Sequence, residues 1–350
     1  MFIKIKSLSV FVIFLSLLFN LSCSSSISKM VLPELNDGKY DSEFPYKNAS
    51  KELEEITETI KLIHSMAFYK SYTFDKNTKL KKDEPRFKHL KDFAKTETFF
   101  HESVGGTATV IYSKNGKALF LTCAHILDFP DTLIFYYEDV IGQKTDYISG
   151  IAIKTKQTNY IPELKSADKL KILTYDKKLD LAVLSGEFSV FESLQIKTFK
   201  YPLGKAENLN WGTFVYLFGY PLSNKMITKG IVSPPKYSGG SIFYVDANIN
   251  KGFSGGLVLA IKDGIPNFEL VGIVRSGVGK INYYITPQPN KSYPLVNSGI
   301  PYEDKLYVNK NLNLRYGITN VISIESILKF LKKNKNKFTE AGYDLGDFFK

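Results

Sequence analysis

The sequence predicts an all-β fold with a helix at each end. Three observations carry this. From about Val104 the chain breaks into short runs dense in Val, Ile, Leu, Phe, Tyr and Thr. Gly, Asn, Pro, Lys and Asp separate these runs, and apolar residues at helical spacing occur before and after the region. Many short strands at such spacing form a barrel or a sandwich. At 350 residues and 44% hydrophobic content, the chain can bury one large core or two modest ones.

In chain order, Lys4 and Lys6 precede an apolar run over residues 8–19. That run is shorter than the ~20 residues a bilayer span needs, so it reads as an export signal over 1–22. Leu21-Ser22-Cys23 follows, with serines behind it. A small residue before a cysteine at this place resembles a bacterial lipobox, although Asn20 stands where that pattern prefers Leu. The resemblance implies a lipid on Cys23 and a membrane-tethered chain in the cell envelope. The plainer alternative is a secretory signal whose cleavage leaves a cysteine. Residues 23–48 are polar, contain Pro33 and Pro45, and read as a tether.

Ser50 is placed to cap a helix with Leu53, Ile56, Ile60, Ile63 and Ala67 on one face, so 49–100 reads as a helical extension. Within it, 70–95 is charged and irregular. Strands are expected at 107–112, 118–123, 132–137, 148–154, 181–184, 213–218, 227–232, 241–245, 257–261 and 270–274. Ser323 is placed to cap a last helix carrying Ile324, Ile327, Leu328 and Leu331. Residues 336–350 read as a tail.

The net charge of +11 is spread along the chain, with one local run at Lys329, Lys332, Lys333, Lys335 and Lys337. This reads as a solvated basic surface, and no nucleic-acid partner is expected. Cys23 and Cys123 cannot make a disulfide framework; they read as one modified residue and one buried free thiol. Four scattered histidines lack metal-ligand spacing, and no phosphate-cradling Gly-rich loop precedes a helix. Neither a metal nor a cofactor is expected.

Hydrolysing a peptide bond near neutral pH needs an activated nucleophile, a base to take its proton, a carboxylate to orient that base, and N–H donors for the oxyanion. Gly252-Phe253-Ser254-Gly255-Gly256 offers Ser254 in a glycine-rich turn, with the Gly252 and Ser254 amides as an oxyanion hole. His125 ends the apolar run Leu121-Thr122-Cys123-Ala124. Asp180 opens the apolar run Leu181-Ala182-Val183-Leu184, where an unpartnered carboxylate is unfavourable to bury. Alone, each has a plain structural reading: a turn, a structural histidine, a surface strand start. Cys123, two residues before His125, is a further nucleophile candidate, in an apolar setting without an oxyanion loop.

Together, in the order His, Asp, Ser, these segments resemble the trypsin-like serine proteases, and most their bacterial Htr/Deg branch. Thr122-Cys123-Ala124-His125 resembles that branch's Thr-Ala-Ala-His. Asp180-Leu181-Ala182-Val183-Leu184 matches its acid strand, and Asp246 to Gly256 resembles its nucleophile loop. Phe218-Gly219-Tyr220-Pro221, Thr228 to Ser233, and Leu270-Val271-Gly272-Ile273-Val274 resemble the segments around that loop.

The resemblance implies a protease domain over 101–335 built of two six-stranded antiparallel barrels. It implies catalysis by His125, Asp180 and Ser254, with protein or peptide substrates. An extended substrate would pair along Arg275, Ser276 and Gly277 by strand addition. Asn248 matches the floor of the primary specificity pocket; being uncharged, it implies cleavage beside small or aliphatic residues rather than Lys or Arg. Phe253 departs from the usual Asp or Asn, so the usual polar brace of the loop is missing. Residues 278–313 form an unusually long insertion that reads as a flap. The residues after Leu331 are too few for a PDZ domain. A catalytically silent, protease-like lipoprotein that binds a protein partner is the alternative reading.

Overall fold

The computed structural model describes residues 36–84, 89–139, 143–164, 170–235, 238–286 and 307–349. Cys23, the signal over 1–22 and the start of the tether lie outside them. Helix α1 (Ser50–Thr57) leads into strands β1 (Ile60–Thr73), β2 (Thr96–Lys114), β3 (Lys117–Thr122), β4 (Thr132–Glu138), β5 (Lys144–Tyr160), β6 (Lys171–Asp176) and β7 (Leu181–Glu187). A short helix, Leu90–Phe93, sits between β1 and β2, and another, Val190–Gln195, follows β7. The chain continues through β8 (Phe214–Gly219), β9 (Met226–Val232), β10 (Ile242–Asp246), β11 (Leu257–Ile261), β12 (Phe268–Thr286) and β13 (Tyr307–Ser323). It ends in helices Ile324–Lys333 and Lys335–Glu340.

The second sheet closes into a six-stranded barrel in the order β10-β13-β12-β11-β8-β9, as expected. The first does not close. It has seven strands, ordered β4-β5-β1-β2-β3-β7-β6, with β4 and β6 as edges. The C-terminal helices meet the β6 edge instead of β4 doing so: the Thr174 hydroxyl bonds Asn334 Oδ1 at 2.8 Å, and Lys337 Nζ reaches the same hydroxyl. Covering an edge is one way a sheet avoids pairing with another chain. One continuous apolar core joins both sheets, from Ile56 through Phe120 and Phe218 to Phe330 and Phe348.

Two sequence expectations need correction near the N-terminal end. The helix read from Leu53 to Ala67 stops at Thr57, and Ile60 begins a strand. Residues 61, 63, 65, 67, 69 and 71 of β1 are buried while most of their neighbours are less so, a period of two. Ile63 and Ala67 are four apart, a spacing that a helix turn and two strand repeats share, so spacing alone misread them. Ser50 is not the cap: Ala49 holds that position, and Asn48 Oδ1 accepts from the Ser50 amide at 2.9 Å. Ser323 does cap its helix, accepting from the Ser326 amide.

The tail is packed rather than free. Phe338, Tyr343, Leu345 and Phe348 are buried, and the Tyr343 ring meets Tyr112 edge-on at 5.4 Å. The described part of the tether is docked as well. Tyr40 bridges to Lys262, and its hydroxyl donates to Glu269 at 2.7 Å. Asp41 exchanges backbone hydrogen bonds with Ile261 and Phe214. The N-terminal segment thus clasps the second barrel before α1 enters the first sheet.

Asp41 also accepts from the Gly264 amide. Burial first, then the charges of Glu43, Asp263 and Asp37, push its carboxyl up to about 6 against that amide bond. Its folded pKa lies above the unfolded value of roughly 3.9, so the contribution of this one group to stability is fullest below about pH 4 and is lost as pH rises through 6. Asp41→Asn keeps an acceptor for Gly264 and loses the charge. Urea unfolding is expected to show a higher midpoint for this variant at pH 7.5 and little change at pH 4. The same decline in both proteins would contradict this.

Candidate active site

His125 stands on a single 3-10 turn, Ala124–Ile126, that follows β3. Ala124 and Ile126 are buried on either side of it, which leaves the imidazole pointing outward with its side chain 43% exposed. Asp180 ends a four-residue turn before β7. Asp176 Oδ1 starts that turn by accepting from the Lys178 and Leu179 amides, and Asp180 finishes it at φ +61°. A short polar side chain tolerates that left-handed conformation better than most. Asp180 is the reason the His125 turn sits where it does. Its carbonyl accepts from the Ala124 amide at 3.2 Å, and its Oδ1 from the His125 amide at 2.9 Å.

The two side chains then meet directly. His125 Nδ1 lies 2.9 Å from Asp180 Oδ2 and 3.1 Å from Oδ1, so the carboxylate fixes the ring and leaves Nε2 facing outward. Burial pushes the Asp180 carboxyl up. The hydrogen bonds and charge of His125, helped by Arg275, outweigh burial and hold it below the ordinary carboxylate range. Asp180 therefore stays ionised beside His125.

Ser254 lies in the loop between β10 and β11. Thr107 on β2 of the first sheet pegs this loop: its amide donates to the Ser254 carbonyl at 2.8 Å and its hydroxyl to the Gly252 carbonyl at 2.7 Å. The same hydroxyl accepts from the Tyr220 amide at 3.0 Å. Thr122, three residues before His125, donates to the Thr107 carbonyl at 2.7 Å. These bonds bring the serine loop against the β3 end that carries His125. Among the described residues the Ser254 hydroxyl has no hydrogen bond, so its link to His125 is open in this state. Such links commonly tighten only when substrate binds.

The loop presents two free amides. Lys251 C=O accepts from Leu222 N–H, and Phe253 C=O accepts from Gly256 N–H. In a planar trans peptide the N–H points opposite to the C=O, so the Gly252 and Ser254 amides are turned away from those contacts. Among the described residues neither has an acceptor. Gly252 adopts φ +108°, and a Cβ on it would lie 2.1 Å from the Tyr220 carbonyl, so no other residue fits. Gly255 is equally confined, since a Cβ there would meet the Thr107 carbonyl at 2.1 Å. Phe253 supplies the brace that the sequence left unexplained. It is buried against Gly219, where an added Cβ would come 2.6 Å from its ring. At this position an apolar wedge stands in place of a polar side-chain brace.

The remaining candidates divide. Asn248 is exposed between buried Ala247 and Ile249. Ser276 and Gly277 pair with Asn320 and Thr319 of β13. On the opposite edge the β11 ladder ends at Leu257↔Ile273, and Val274 takes the last bonds, to Gly255 and Gly256. From residue 275 onward that edge is open among the described residues. The Arg275 side chain turns to the carboxylate of the first sheet: its Nε donates to Asp180 Oδ2 at 3.2 Å. The β12–β13 register shifts between Val274 and Ser276, and a bulge of this kind re-aims a side chain. The flap reading covers β12 and β13 residues that pair as a long ribbon, Val278↔Arg315 to Thr286↔Tyr307; residues 287–306 lie outside the described residues.

Cys123 is fully buried and donates from Sγ to the Val274 carbonyl at 3.3 Å. Burial, then the Asp180 charge, pushes its thiol far up, a setting that favours the neutral thiol over the nucleophilic thiolate. Cys123, His125 and Asp180 bring possible ligand atoms within 4.8 Å of one another. The carboxylate already serves His125 and Arg275, and the thiol is neutral, a poor donor set for a metal. Sequence reasoning missed Thr107 and Thr122. Gly105-Gly106 inside a strand was the available signal, because paired glycines there mark a close backbone approach.

Residues 106–273 match the family model described as the trypsin-like peptidase domain, a segment running from β2 to β12 that holds His125, Asp180 and Ser254. A search of curated proteins returned no match. With a closed barrel and a curled partner sheet around the matched segment, the fold is similar to that of trypsin-like peptidases.

Proposed function

We propose that the protein is a serine endopeptidase working through an acyl-enzyme. The observation that carries this is the His125–Asp180 contact facing a serine loop with two unengaged amides. In this reading the extended substrate adds as a strand along the open edge at 275–277. Ser254 Oγ bonds to the scissile carbonyl carbon while its proton passes to His125 Nε2, and the developing oxyanion takes the Gly252 and Ser254 amides. The C–N bond then breaks as His125 returns the proton to the leaving amine. Water, deprotonated by the same imidazole, releases the acyl group. Exposed, uncharged Asn248 at the pocket floor favours small or aliphatic residues before the cut.

A peptide library tests both parts. Cleavage after small or aliphatic residues is expected, falling by roughly 10⁴-fold or more in Ser254→Ala and His125→Ala. Products dominated by Lys or Arg would overturn the pocket reading. No cleavage by folded protein would favour the second reading, a scaffold that binds a protein without cutting it. The open Ser254–His125 link is the observation on that side.

Export and a lipid on Cys23 complete the proposal, supported by Lys4, Lys6, the apolar run over 8–19 and the serine before Cys23. Among the described residues no helix is long and apolar enough to cross a membrane. The chain is expected in the membrane fraction of expressing bacteria, and Cys23→Ala in the soluble fraction. Equal membrane retention of both would contradict lipidation at this residue.

A further inference from the structure

Arg275 is the third partner of the acid. The Asp180 carboxylate accepts from the His125 amide and Nδ1 and from Arg275 Nε, and its side chain is 8% exposed. Arg275 shares Oδ2 with the imidazole. The bulge in β12 is what swings its side chain across from the second barrel to an acid of the first sheet. We propose that Arg275 is a positioning residue that holds Asp180 and neutralises its charge, so that the base releases its proton at a lower pH than an unshared carboxylate would allow. The inference rests on the protease reading of this site.

The physical argument is a competition for one carboxylate. A lone buried carboxylate stabilises an adjacent imidazolium strongly, which keeps the base protonated and idle as pH falls. A guanidinium on the same oxygen satisfies part of that charge and repels a second cation. The partly exposed position of Arg275, 34% for its side chain, moderates the effect without abolishing it. Cys123 at the end of β3 is a neutral thiol, and Asp128 after the histidine turn pairs with Lys177 before Asp180 at 2.6 Å. Arg275 is also the first residue of the open strand edge, so the group that binds substrate backbone is one residue with the group that braces the acid.

The test compares the full chain with Arg275→Gln, which keeps a donor without charge, and Arg275→Met, which keeps neither. Two readouts are taken. One is the pH dependence of Ser254 labelling by a small fluorophosphonate, which does not need the substrate strand. The other is an NMR titration of the four histidine imidazoles, with the site ring assigned by His125→Ala. The acid limb of labelling and the ring titration are both expected to move upward by about one pH unit in both variants. A ring titration that stays within about 0.2 unit in both variants would overturn the proposal. If the wild type is never labelled, the protease reading fails, and the NMR titration still decides the role of Arg275.

Discussion

Thr107 sits at the seam between the two sheets, and four hydrogen bonds converge on it. Its amide and hydroxyl hold the carbonyls of Ser254 and Gly252, its hydroxyl receives the Tyr220 amide, and its carbonyl receives Thr122. The residue is fully buried, so each bond replaces one that water cannot supply. His125 and Asp180 belong to one sheet and Ser254 to the other. Their relative placement therefore depends on this one residue, through its backbone as well as its hydroxyl.

Around that seam the site is held by geometry that admits few substitutes. Gly252 and Gly255 lie against carbonyls that a Cβ would strike, and Phe253 wedges the loop onto Gly219. Asp180 sits in a left-handed turn with its carboxylate clamped from two sheets. A second strut crosses nearby: Tyr220 donates to Glu163, which also pairs with nearly buried Lys61. Polar bonds across an apolar junction specify one alignment of the sheets, whereas apolar packing alone tolerates sliding.

Much of this was legible in the sequence because the relevant patterns are local. The strands at 118–123, 132–137 and 257–261 are alternating or fully apolar runs with turn residues at their ends, and they lie where expected. His125, Asp180 and the glycine loop each sit beside such a run. What escaped depends on distant partners. Ile60 to Thr73 reads as helix or strand until β2 and β5 are known to flank it. Closure of the first sheet is decided by which element meets β6, and the C-terminal helices do. The direction of Arg275 follows from a bulge against β13, which no spacing in β12 reveals.

The central claim is that the Thr107 seam holds an activated serine. Fluorophosphonate labelling of Ser254 in wild type, Thr107→Ser and Thr107→Val tests it most directly. The account predicts labelling of the wild type and near-wild-type labelling of Thr107→Ser, which keeps the hydroxyl. Thr107→Val leaves the Tyr220 amide and Gly252 carbonyl unpaired, about 2–4 kcal/mol of lost stability, and is predicted to label at least tenfold more slowly while still folded. Wild-type rates in folded Thr107→Val, or no labelling of the wild type, would contradict the account.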